Sequence, residues 1–146
     1  MSKVGLIDMH THTLYSDGEL TPNDLVRKAE TNLGDLCSDA LRVMTGADIS
    51  YVNGGGIRAS IESGDITFND IYSVFPFNNE VVTAEVSGQV LIDFLELAVI
   101  NYPQEGGMFP HVSGITFSVN TSIPSSVKLD ENDFFEKVDG EYRVYN

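Results

Sequence analysis

A run of three glycines constrains this chain more than any other feature. Gly54-Gly55-Gly56 follows a short apolar segment and is followed at once by Ile57-Arg58. Ala47 to Val52 reads as a strand. Three residues without a Cβ then let the backbone approach a ligand closely. Successive amides in such a bend can form an anion-binding nest. Asn53 adds a side-chain amide donor, and Arg58 a guanidinium able to grip a phosphate through two parallel hydrogen bonds.

The 146 residues are enough for one domain with its own core, and 42% hydrophobic residues is an ordinary globular value. A formal net charge of -14, with only eight Lys and Arg, argues against a nucleic-acid partner or an anionic membrane surface. An anion site here has to be local and built on one or two arginines. The one cysteine, Cys37, excludes an internal disulfide and sits in an apolar helical pattern, as a buried structural thiol would. No apolar run reaches membrane-spanning length, and the start lacks the regions of a signal peptide. The chain as given therefore reads as cytoplasmic or recombinant.

Along the chain, Val4 to Met9 reads as a strand and Thr21-Pro22 as a helix start. Asn32 to Met44 carries Leu33, Leu36, Cys37, Ala40, Leu41 and Met44 at helical spacing, ended by Thr45-Gly46. Phe68 to Phe75 reads as a short helix stopped by Pro76, and Glu80 to Val86 as a strand. Ser87 to Asn101 is a long helix expected to bury Val90, Leu91, Phe94, Leu95, Ala98 and Val99. Gly114 to Asn120 alternates like a strand. Val127 to Leu129 and Glu141 to Tyr145 read as a hairpin around Asp139-Gly140. This irregular alternation predicts an α+β (mixed α/β) domain.

The first strand runs into Asp8-Met9-His10-Thr11-His12, where period two sets a carboxylate and two imidazoles on one side. Asp17 can fold back from the following loop as an oxygen ligand, and such a set suits zinc, manganese or nickel. The segment from Ile7 to Gly18, with Leu20 to Val26, resembles the opening of a PHP (polymerase and histidinol phosphatase) domain. That resemblance implies His10, His12 and Asp17 as metal ligands, with Asp8 beside them, in a metal-dependent phosphoesterase. The only other histidine, His111, reads as structural.

A second resemblance covers Arg27 through Tyr145. Glu30 to Leu36, Asp39 to Arg42, Asn53 to Arg58, Asp70 to Asn78 and Val112 to Ile115 resemble, in order and spacing, the C-terminal substrate-binding domain of the 5′-nucleotidase family. It implies that Asn53, Gly54, Gly55, Gly56 and Arg58 meet the phosphate of a nucleoside monophosphate, with Arg27 also serving it. It implies Phe77 as one face of a clamp on the base, and Gly114 as a lining of the base and ribose pocket. In that family a separate two-metal domain performs hydrolysis, and the substrate domain continues past the position of Asn146.

Residues 1–29 are therefore expected to be a PHP-like fragment joined to a truncated nucleotidase-like domain at 30–146, as a chimera would be. Such a chain is expected to bind nucleotide or phosphate weakly, without catalysis, or to be a folded fragment with no biochemical function. Its unpaired strand edge would invite a homodimer. The nucleotidase-like parent would be extracellular.

Overall fold

A computed structural model describes residues 2–7, 31–104 and 106–145. It is a mixed α/β domain with three helices among the described residues. In chain order these are β1 (Ser2–Ile7), α1 (Asn32–Thr45), β2 (Ile49–Asn53), a single 3-10 turn (Gly54–Gly56), α2 (Phe68–Val74), β3 (Val81–Val86) and α3 (Gly88–Ala98). Then come β4 (Pro110–Ser113), β5 (Ser118–Val119), β6 (Val127–Leu129), β7 (Phe135–Val138) and β8 (Val144–Tyr145).

The main sheet has the order β3-β1-β2-β4. β1 runs parallel to β2, with Val4 opposite Ile49, and antiparallel to β3, with Val4 opposite Ala84. β2 pairs antiparallel with β4, so Val52 lies opposite His111 and Asn53 opposite Pro110. Pro110 is tolerated because it is the first residue of an outer strand.

Each helix is set by a local cap. Thr31 accepts a hydrogen bond from the Gly34 amide at 3.0 Å, and Gly46 closes α1 in the left-handed region at φ 65°. Thr67 and Asp70 form a reciprocal capping box on α2. Ser87 caps α3.

Period two sends alternate side chains of β2 and β4 to opposite faces. On one face Tyr51 meets Phe94 of α3 edge-on, with ring centroids 4.8 Å apart. Leu95, Val99 and Val144 form the centre of the core there, with Leu91, Ile92, Val112, Ile115 and Phe117 packed around them. Burial pushes the Tyr51 hydroxyl pKa well up, and that hydroxyl donates to the Met108 carbonyl at 3.0 Å. On the other face α1 lies on small and polar residues. Ser50 donates to the carbonyl of Ser38, and both are fully buried. Arg42 Nε donates to Ser113 Oγ at 2.8 Å, and Ser113 in turn donates to Asp39.

Several expectations are corrected. The apolar stripe of α1 is only in part turned inward: Gly34 and Ser38 are the helix's buried residues, Leu33, Cys37 and Leu41 are half-buried, and Leu36, Ala40 and Met44 are exposed. Cys37 is half-buried rather than buried, with burial raising its thiol pKa. On α3, Leu95, Ala98 and Val99 are buried as expected, but Val90 is 51% exposed and Glu96 is fully buried. Most of Gly114 to Asn120 is not strand, whereas Pro110–Ser113 is. The hairpin partner of β6 is β7, reached through a turn in which Asp130 accepts from the Asn132 and Phe134 amides. Glu141 to Tyr145 leaves instead to pair β8 with β5.

What redirects that last segment is a buried charge pair. Glu96 Oε1 accepts the backbone amides of Arg143 and Val144, the latter at 2.6 Å. Arg143 donates to the carbonyls of Tyr102, at 2.9 Å, and Val99, at the open C-terminal end of α3. Glu96 Oε2 and Arg143 Nε stand 4.0 Å apart, a charge contact too long for a hydrogen bond.

Candidate functional site: the triglycine bend

β2 delivers the bend at its C-terminal end. The Gly54 amide donates to the Phe109 carbonyl at 2.8 Å and the Gly55 amide to the Gly107 carbonyl at 2.9 Å. The Ile57 amide closes the turn on Gly54 at 3.1 Å. Two of the three glycine amides are thus committed to backbone carbonyls, and none of the three glycines has a positive φ. The anion nest expected from the sequence is therefore not formed by these amides, because a nest needs successive amides turned to one concave side.

The glycines serve close approach instead. A Cβ on Gly55 would stand 2.9 Å from the Gly107 Cα, and one on Gly56 would stand 3.0 Å from Asn53 Oδ1. Backbone thus packs on backbone at Gly55, and on the Asn53 side chain at Gly56.

Arg58 leaves the bend with its amide donating to the Val74 carbonyl at 2.9 Å, which ties it to the end of α2. Its guanidinium turns back to the bend and donates to the Gly55 carbonyl at 3.2 Å. The same guanidinium lies 5.9 Å from the centre of the Phe77 ring, within cation–π range. Arg58 is exposed and Phe77 is 51% exposed, so a cation and an aromatic face are presented together to solvent. Asn53 points its amide to the Gly107 carbonyl at 3.1 Å.

The structure thus brings Gly54, Gly55, Gly56, Arg58 and Phe77 to one place, with Asn53 beside them. It does not bring Gly114 there. Gly114, at φ 83°, follows β4 and backs onto Asp48, where a Cβ would stand 2.1 Å from the Asp48 carbonyl oxygen. Asp48 precedes β2 and Asn53 ends it, so Gly114 is roughly 16 Å from the bend along the strand. The absence of a side chain lets the chain turn there against Asp48. Arg27, Asp8, His10, His12 and Asp17 lie outside the described residues.

Two contributors were missed by sequence reasoning. Gly107 receives both the Gly55 and the Asn53 hydrogen bonds, and Phe109 receives that of Gly54. A signal existed: Gly106-Gly107 is a second glycine pair ahead of an apolar segment, and two such turns can close on each other.

Comparison with known proteins bears on the family and the fold. A family model described as the 5′-nucleotidase C-terminal domain matches residues 10–141. A 5′-nucleotidase of Vibrio parahaemolyticus is 36% identical over 140 residues, covering 95% of this chain and 24% of that protein. Protein UshA of Escherichia coli is 42% identical over 106 residues, covering 73% of this chain and 19% of that one. The crystal structure of a 5′-nucleotidase precursor from Thermus thermophilus superposes with a TM-score of 0.65 at 32% identity, over 77% of this chain and 25% of that one. This chain thus spans about a quarter or less of the relatives it matches. The family match takes in residues 10–29, most of the stretch read above as PHP-like, and no comparison supports a PHP fragment. No described helix is long and apolar enough to cross a membrane. With nine-tenths of its length matched and its fold shared, the chain belongs to the 5′-nucleotidase C-terminal domain family.

Proposed function

We propose that this domain is a binding module for a nucleoside monophosphate, recognised through its phosphate and its base. The observation that supports the reading is the Arg58 guanidinium held between the triglycine bend and the exposed Phe77 ring. A guanidinium offers planar, paired donors to a phosphate, and an aromatic face offers a stacking surface to a base. The relatives named 5′-nucleotidase share this segment of chain, which is consistent with that substrate class. One exposed ring stacks a base on one side only, so affinity is expected to be weak. Binding without hydrolysis is the expected behaviour of this domain by itself.

Titration with adenosine monophosphate tests the reading. Arg58→Ala is expected to weaken binding at least tenfold, which corresponds to about 1.4 kcal/mol, with little change in melting temperature. Phe77→Ala is expected to weaken adenosine monophosphate more than inorganic phosphate. Equal binding by the parent and Arg58→Ala proteins would end the proposal.

A further inference from the structure

We propose that His111 is a positioning residue for the triglycine site, the spacer that sets the distance between the bend and the first turn of α1. The proposal rests on the nucleotide reading of Arg58 for its functional half, and on packing alone for its structural half.

His111 is 2% exposed and lies on β4 opposite Val52, the residue before Asn53. Its ring fills the space of a missing side chain on α1. A Cβ built on Gly34 would stand 2.2 Å from His111 Nδ1, 2.4 Å from Cγ and 2.5 Å from Cε1. The other end of the ring reaches the bend, where a Cβ on Gly54 would stand 3.5 Å from Nε2. One imidazole therefore fills the side-chain space of Gly34, in the first turn of α1, and comes within a side chain's reach of Gly54, twenty residues on in the bend. Phe109 packs edge-on to the ring, with centroids 6.1 Å apart, and it is the Phe109 carbonyl that receives the Gly54 amide.

Hydrogen bonding does not account for the residue. Nδ1 is buried with no partner among the described residues. Leaving a buried polar nitrogen unsatisfied is unfavourable, so what His111 contributes is shape. A thinner side chain would let α1 and the bend approach or slide. Arg58 follows the bend by two residues and is tied to it through the Gly55 carbonyl, so a moved bend carries the guanidinium with it.

The test combines a packing cycle with binding. Gly34→Ala is expected to lower the melting temperature sharply, because the new methyl meets the ring. His111→Ala removes the obstacle, so the double variant is expected to melt well above Gly34→Ala alone. That non-additive recovery is the mark of direct contact. Folded His111→Ala is expected to bind adenosine monophosphate about tenfold more weakly, and His111→Gln, which keeps the reach of the ring, to stay within about threefold of the parent. Amide resonances of Gly54 to Arg58 are expected to move in His111→Ala. Additive melting shifts, or unmoved resonances with unchanged affinity in His111→Ala, would overturn the proposal. If the parent and Arg58→Ala proteins bind alike, the nucleotide reading fails by itself. The packing cycle and the resonances then still decide whether His111 is the spacer.

Discussion

The two faces of the β2–β4 pair are built on different principles. The α3 face is apolar: Tyr51, Phe94, Leu95, Val99 and Val112 exclude water and gain by area. The α1 face is mostly small or polar around Val52: Gly34 and His111 gain by close approach, and Ser38, Ser50 and Ser113 by hydrogen bonds as well. The apolar face holds the fold. The polar face fixes how near α1 comes to the strand that delivers the bend, and hence where Arg58 stands. A site that depends on backbone packed against backbone needs such a face, because large side chains would hold the layers apart.

The largest effect that would sharpen this contrast lies on the α3 side. Glu96→Ala strips two backbone amides of their acceptor and leaves Arg143 buried without its counter-charge. It is expected to cost about 3–5 kcal/mol in urea unfolding. A loss under about 1 kcal/mol would show that the pair is not part of what holds the C-terminal strand.

Ser38→Leu comes next. Ser38 is fully buried under Ser50, so added volume has nowhere to go, and a loss of about 1–3 kcal/mol is expected. If the polar face were loosely packed, the variant would instead gain stability, and the comparison of faces would break.

A smaller, pH-dependent effect follows from His111. Burial lowers its pKa, and the Asp35 carboxylate on α1 raises it only in part. The unfolded chain then takes up a proton near pH 6.5 that the native ring refuses. This contribution to stability is constant above that pH and falls as the pH drops through it. It levels only below the depressed native pKa, where the ring is protonated in both states. His111→Gln is expected to flatten this part of the stability profile, measured as melting temperature between about pH 7 and pH 5. A slope unchanged by the substitution would remove His111 as its source.

The smallest effect is expected at Leu36. It lies in the apolar stripe of α1 but is 60% exposed, so Leu36→Ser is expected to change stability by no more than about 0.5 kcal/mol. A larger loss would mean that something covers the outer side of α1.

The same division explains what was legible. The stripe of α3 was readable because Leu95, Ala98 and Val99 bury apolar area, which hydrophobic periodicity reports. The inner face of α1 was not, because Gly34 and Ser38 are chosen for size, to which that periodicity is blind. Leu36 and Met44 attracted the reading and proved to be outside. In the site, Arg58 and the glycines were legible as residues, but their committed amides were not. Gly114, which the resemblance set in the base and ribose pocket, stands at the other end of the β2–β4 pair from the bend.

By itself the sequence determined the helical stretches that begin near Asn32, Phe68 and Ser87, the bend at Gly54–Gly56 and the membership of a family, since each is carried by residues close along the chain. Only the tertiary structure decided that β1 lies between β2 and β3, and that β6 takes β7 as its partner. It also decided that Gly107 closes on the bend and that Glu96 captures the strand after Asp139. Those are pairings between distant segments. Many partners satisfy a strand's hydrogen bonds equally well, and packing alone selects among them.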